Sequence, residues 1–149
     1  MTRILVTVLA GGVLAADSGA VVNYSGVISI AEGATESLRG GSWKLSGAEN
    51  IVNKGTLNLH NTKLYFNSTS AQKLSGTLTV TGTSELHSIE SNGADNMQKH
   101  LEHINIASDN TLRIVDHTWN TIWNIDKLTG NGTFKWNPQN THNFSSRVI

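Results

Sequence analysis

Apolar and polar side chains alternate in the same way along four short phrases of the sequence. Each phrase starts with Gly or Asn, continues with Thr, and then runs apolar, polar, apolar, at residues 55–59, 76–80, 110–114 and 132–136. A period of two residues is typical of a strand with one buried face. The starts lie 21, 34 and 22 residues apart. Strands that return at a fixed phase are typical of a β-solenoid, in which successive coils stack on one another.

The same alternation predicts further strands, separated by Asn, Gly or Ser-Thr corners. The predicted strands are residues 21–22, 27–30, 42–45, 56–59, 63–66, 76–80, 84–87, 103–106, 111–115, 121–125 and 133–136. Spacing of this kind also suits an antiparallel β-sandwich or barrel, which is the alternative fold. A solenoid of about 21–22 residues per coil is favoured, because the Gly/Asn-Thr phase recurs at that interval and clear two-residue hairpin turns are missing.

Two details of this all-β fold follow from the phrases. The longer middle gap predicts one coil plus a loop insertion at residues 88–99, with a turn or two of helix at residues 94–102. The inward side chains of the four phrases are expected to form one apolar stack, made of Leu57, Leu59, Leu78, Val80, Leu112, Ile114, Phe134 and Trp136.

Composition agrees with a chain of strands and corners. Among 149 residues there are 16 Asn, 16 Thr, 15 Ser and 14 Gly, and only 15% of residues are charged. Thr favours a pleated surface, and Asn and Gly favour tight turns. The formal net charge is zero, which argues against nucleic acid as a partner. Cysteine is absent, which argues against thiolate metal sites and thiol catalysis.

The first 16 residues allow two interpretations. Arg3 precedes an apolar or small stretch at residues 4–16, and residues 13–15 resemble a small-x-small cleavage site, so a short secretory signal peptide is one. In the other, residues 4–8 are the first strand of the solenoid. Residues 17–149 are predicted to form one β-helix segment, expected to be a fragment of a longer passenger.

Two stretches of repeat grammar resemble known secreted proteins. Residues 125–134 (IDKLTGNGTF) are similar to the last coils of autotransporter passenger domains. The Asn/Thr-rich residues 122–125 and 135–140 resemble two-partner-secretion exoproteins of the filamentous-haemagglutinin or high-molecular-weight adhesin type. The resemblance implies a right-handed parallel β-helix, exported through an outer-membrane translocator. It also implies adhesion to a host-surface protein or glycan, or self-association between cells.

Candidate catalytic and metal-binding residues are sparse. His100, Glu102 and His103 lie close in sequence, with His117 later, but their spacing is not His-Glu-x-x-His, so no metal site is predicted. Glycoside hydrolysis needs two carboxylates roughly 5 to 9.5 Å apart. The Asp residues are spread over loops and strand ends, and Asp116-His117 is the one acid–base adjacency. We predict no catalytic role and no cofactor; a polysaccharide-cleaving or polysaccharide-binding β-helix and a phage tail fibre are the alternatives.

Aromatic residues and sequons supply the candidate binding positions. Trp43 and Trp136 share the phase of core positions, whereas Trp119, beside His117, falls outside the alternation; Trp119 and His117 are therefore the predicted binding residues. Asn-x-Ser/Thr sequons occur at Asn23, Asn67, Asn131 and Asn143. Asn67, at a corner, is the predicted glycosylation site, since some adhesins of the resembled type carry hexoses at such positions. The expected function is that of a secreted or cell-surface adhesin segment.

Overall fold

The computed structural model describes residues 11–24, 26–47, 50–68, 71–88, 97–117 and 121–138. These residues form strands, turns and bends, with no helix among them. The strands are β1 Val13–Ala15, β2 Val21–Tyr24, β3 Ile28–Ile30, β4 Thr35–Arg39, β5 Ser42–Leu45, β6 Ile51–Asn53, β7 Thr56–His60, β8 Lys63–Phe66, β9 Gln72–Thr81, β10 Thr83–His87, β11 Met97–Ile106, β12 Thr111–Asp116, β13 Thr121–Thr129 and β14 Thr133–Pro138.

The strands build a parallel β-solenoid of about five turns. The first sheet has the order β1-β4-β7-β9-β11-β13, the second has the order β2-β5-β8-β10-β12-β14, and a small third sheet pairs β3 with β6. The pairs within these sheets are parallel. The solenoid prediction is confirmed, and the alternative of an antiparallel sandwich is wrong.

Coil length is constant at first and then changes. Thr35, Thr56 and Thr77 lie opposite one another in the first sheet, so these coils contain 21 residues. The next coil is longer, because Thr77 lies opposite His103. In the second sheet the corresponding step runs from Thr83 to Thr111.

This longer coil makes one prediction wrong: the four phrases do not share a single stack. Leu57 lies opposite Leu78 in the first sheet, and the next residue in that row is Ile104, not Leu112. Leu112 belongs to the second sheet, where it lies opposite Phe134. The apolar phase therefore returns on a different face of the coil after the long turn, and two stacks face the interior instead of one.

The interior is apolar and well covered. Leu57, Leu59, Leu64, Leu86 and Ile114 are fully buried. Each such side chain contributes roughly 1.5–3 kcal/mol through the apolar area that it removes from water. Of the predicted core aromatics, Trp43 is buried and Trp136 is partly buried against the core.

Corner asparagines connect successive coils through the backbone. The Oδ1 atom of Asn110 accepts the N–H of Gly82 at 2.7 Å, and the Oδ1 atom of Asn61 accepts the N–H of Thr83 at 3.0 Å. Asn53 donates to the carbonyl oxygen of Thr77 at 3.2 Å. These side chains satisfy main-chain groups that a corner leaves without sheet partners.

Three segments differ from their predicted structure. The helix at residues 94–102 is wrong where it is described, because Met97–Ile106 is a strand. Residues 97–99 are likewise part of that strand and not of a loop; residues 89–96 lie outside the described residues. At the amino-terminal end Val13–Ala15 pairs with β4, while the predicted strand at residues 4–8 lies outside the described residues.

None of the described segments is a helix of the length and hydropathy that would cross a membrane.

Candidate functional site

Three planar rings stack on the outer face of the second sheet. Tyr65 on β8 lies opposite His87 on β10, and their ring centroids are 4.2 Å apart with planes inclined by 21°. His117, just after β12, stacks on the other side of His87 with a centroid distance of 5.1 Å. We call Tyr65, His87 and His117 the ring ladder. Strict parallel register creates it, because each coil places an outward ring directly above the one before.

A single carboxylate holds this ladder to its cationic neighbours. The Oε2 atom of Glu85 lies 2.7 Å from Nε2 of His87 and 3.5 Å from Nζ of Lys63. Its Oε1 atom lies 3.5 Å from a guanidinium nitrogen of Arg113. Burial alone would raise the pKa of Glu85, but the hydrogen bond from His87 and the charges of Lys63, His87 and Arg113 outweigh it and hold the pKa below 4.5.

The ionised state of Glu85 fixes the order of protons along the ladder. A carboxylate only accepts, so Nε2 of His87 must carry the hydrogen in that bond. When His87 is neutral its Nδ1 atom is then an acceptor, and the Nε2–H of His117 donates to it across 2.8 Å. Burial lowers the pKa of His87, against the opposing effect of Glu85. The arrangement therefore favours a neutral His87 between the carboxylate and His117.

A groove of about 380 Å³ runs beside the ladder, along the corner between the first and second sheets. Its polar lining comes from successive coils: Ser18, Ser42, Asn61, Lys63, Thr83 and Glu85. Gly19 and Gly41 also line it, and they leave its floor low because they carry no side chain. The groove is therefore perpendicular to the strands and parallel to the solenoid axis.

The predicted binding residues are only partly assembled. His117 is part of the ring ladder, whereas Trp119 lies outside the described residues. Trp43 and Trp123 are buried in the core, so neither lines an outer groove. The Tyr65 ring has Lys44 at 5.2 Å from its centroid in addition to stacked His87. Its faces are occupied, and it offers its edge to a ligand.

The histidines that were considered as metal ligands are dispersed. His100 Nε2 lies 2.7 Å from Asp126, while His103 Nε2 lies 2.8 Å from the hydroxyl of Thr129. His117 is on the second sheet. Within the described ranges, no three His, Cys, Asp or Glu residues converge in a way that could hold a metal ion.

Two further ionisable groups are buried inside the coils. The Nζ atom of Lys99 donates to Oε1 of Gln72 at 2.7 Å and to the carbonyl of Ser68 at 2.9 Å, and burial lowers its pKa to about 8. Asp116 accepts a hydrogen bond from the indole N–H of Trp123 at 2.8 Å, and burial raises its pKa. These hydrogen bonds give both groups a structural role at the interior of the coils.

The sequons differ in exposure. Asn67 is half-buried, and its N–H donates to the carbonyl of Leu45 at 2.8 Å. Asn23 and Asn131 are exposed, so Asn67 is not the most accessible sequon as expected. Asn143 lies outside the described residues.

Sequence reasoning missed most of the ladder and the groove. Tyr65, Glu85 and His87 sit at the outward positions of two predicted strands, Lys63–Phe66 and Thr83–His87. Aligning these strands at one coil length would have placed Tyr65 beside His87. The groove residues carry no such signal, because Ser18 and Asn61 come from corners.

No protein-family model, curated protein or solved structure matches this chain. The fold and the outer face of the second sheet define the class to which it belongs: a parallel β-solenoid with a polar, hydroxyl-lined groove along its axis.

Proposed function

We propose that this chain is a non-catalytic segment of a secreted or surface-exposed bacterial adhesin. Its role is to hold a stiff surface away from the cell and to attach it to a host-surface protein or glycan, or to a neighbouring cell. Export through an outer-membrane translocator is part of the same proposal.

The observation that carries the proposal is the continuous parallel stacking of two six-stranded sheets. Each inner strand is hydrogen-bonded to the coil before it and to the coil after it, so bending the rod would break many bonds together. Six strands at about 4.8 Å spacing extend the described part over roughly 24 Å along the axis. Such a rod lengthens by the addition of coils without a new core design, which suits a stalk.

A second candidate function is cleavage of a polysaccharide, since the groove could hold a sugar chain. The environment of Glu85 favours the non-catalytic alternative. Its carboxylate is held by His87, Lys63 and Arg113, so its pKa is lowered, whereas a general acid for glycoside hydrolysis needs a raised pKa.

Display of the chain on a non-adherent bacterium tests the proposal. Cells that display the chain should attach to epithelial monolayers, or aggregate with one another, above the level of cells that display an unfolded variant with Leu57→Asp and Leu86→Asp. Equal attachment by the two strains would contradict adhesion. Release of reducing ends from a polysaccharide panel would favour an enzyme instead, and a trimeric mass in light scattering would favour a tail fibre.

A further inference from the structure

We propose that the groove along the corner of the first and second sheets binds an uncharged oligosaccharide, which lies parallel to the solenoid axis. This inference rests on the proposed function, because it names the chemical class of ligand that the adhesive surface recognises.

The groove has the direction and length of an extended polymer site. Ser18 belongs to the coil of β1 and β2, Ser42 to the next coil, Lys63 to the third and Thr83 to the fourth. Four coils at about 4.8 Å spacing give a groove roughly 14 Å long. A chain of sugar rings that runs along the axis would meet a new coil at each step.

Its lining presents hydroxyl groups that the fold does not use. Within the described ranges the side-chain hydroxyls of Ser18, Ser42 and Thr83 make no hydrogen bond. In contrast, Thr62 at the same corner donates to the carbonyl of Gly40 at 2.6 Å and is buried. A hydroxyl group both donates and accepts, so a row of them matches the hydroxyls of a sugar.

The charges of the lining favour an uncharged ligand. Lys63 and Glu85 are the charged residues among those that line the groove, and their side chains are 3.5 Å apart. The two charges cancel at the scale of a ligand, while each still offers a strong donor or acceptor to a sugar hydroxyl. A polyanion would meet the carboxylate of Glu85, and a polycation would meet Lys63.

Peptides and apolar ligands fit less well. A peptide that adds as a strand needs an unpaired sheet edge, but the groove crosses β5, β8 and β10, each of which already pairs on both sides. Typical small-molecule pockets are lined by hydrophobic and aromatic side chains, whereas this lining consists of Ser, Thr, Asn, Gly, Lys and Glu.

Titration calorimetry with the full chain tests the inference. The probes are malto-, cello-, xylo- and manno-oligosaccharides, with polygalacturonate, heparin and an acidic peptide as charged comparators. We expect at least one neutral oligosaccharide to bind with an affinity that does not change between low and high salt. Thr83→Val and Ser42→Ala should each weaken binding about threefold to tenfold, as for loss of one neutral hydrogen bond, and Lys63→Met about tenfold or more.

Thr133→Val is the matched control, because Thr133 occupies the same register row as Thr83 and Thr111 but lies outside the groove. It should bind like the original chain. The inference is overturned by no binding to any neutral oligosaccharide, by binding only to a charged comparator, or by equal effects of Thr83→Val and Thr133→Val.

The two proposals fail separately. If displayed cells attach but Thr83→Val attaches equally well, adhesion stands and the groove is not the contact. If the chain binds a neutral oligosaccharide but displayed cells do not attach, the groove assignment stands and the adhesin proposal falls.

Discussion

The Nδ1 atom of His87 lies 2.8 Å from the Nε2 atom of His117, which comes 30 residues later in the chain. The two imidazoles belong to adjacent coils and share one hydrogen. Protonation of both would direct two N–H groups at each other, in a face that already holds Lys63 and Arg113 beside the single carboxylate of Glu85. The ring ladder is therefore a pH-sensitive part of the fold.

Stability should decrease when the pH falls below about 6.5, the ordinary pKa of histidine. The pKa of His87 is lowered in the folded chain, so below that pH the unfolded chain binds more protons, and the free energy of unfolding drops until the lower folded pKa is passed. Glu85 adds a second decrease below pH 4.5. Denaturant unfolding at a series of pH values measures both.

His87→Phe keeps a ring in the ladder and removes the titrating group, so the decrease below pH 6.5 should become shallower. Tyr65→Phe is its control, because it removes only a phenolic hydroxyl and should keep the original profile. A profile for His87→Phe that parallels the original would contradict this account.

Stability should also increase between pH 8 and pH 10.5 because of Lys99. Burial lowers the pKa of this amine to about 8 from 10.5, so in this interval the folded chain has lost a proton that the unfolded chain keeps. The gain is at most about 1.4 kcal/mol per pH unit. Lys99→Met should flatten this part of the profile, and an unchanged slope in that variant would show that the amine is not responsible.

Two glycines with positive φ should respond differently to alanine. Gly33 has φ of 76° and open space around it, so Gly33→Ala should cost about 1–2 kcal/mol for the backbone conformation alone. At Gly130, with φ of 100°, a Cβ atom would overlap the carbonyl oxygen of Ile106, which accepts the N–H of Gly132. Gly130→Ala should therefore cost more, roughly 2–4 kcal/mol. Equal losses in urea unfolding would refute the proposed overlap.

Truncation of the core should be far more costly than truncation of the outer face. Leu86 is fully buried in the second sheet, and Leu86→Ala should lower the free energy of unfolding by about 2–5 kcal/mol. Lys135, which is exposed on β14 of the same sheet, is the control, and Lys135→Ala should stay within about 0.5 kcal/mol. Similar losses for both would mean that Leu86 is not in a packed interior.

Accessibility of the sequons should follow exposure and not corner position. When the purified chain is treated with an asparagine-specific glycosyltransferase, Asn23 and Asn131 should be modified before Asn67, because Asn67 is half-buried and its backbone is bonded to Leu45. Peptide mass spectrometry over a time course gives the order. Modification of Asn67 first would contradict it.

Some elements could be predicted because their sequence pattern is local. The alternation at Thr56–His60 and Thr111–Asp116 reports one buried face, and it needs no knowledge of the rest of the chain. β4 and β6 were missed, because Glu36 and Asn53 occupy buried positions and interrupt the apolar pattern. Lys99 was assigned to a loop for the same reason: a charged residue in the sequence gives no sign that Gln72 will receive its amine.

By itself, the sequence determined the strands, the corners and the initial coil of 21 residues, because period-two alternation and the conformational freedom of Gly and Asn act over a few neighbouring residues. Only the tertiary structure decided which face each phrase occupies, and hence that Leu112 leaves the row of Leu78. It also brought His87 to His117 and Ser18 into line with Thr83. These relationships depend on the number of residues that each turn contains before the next rung begins. That number is set by the packing of whole coils and not by any single corner.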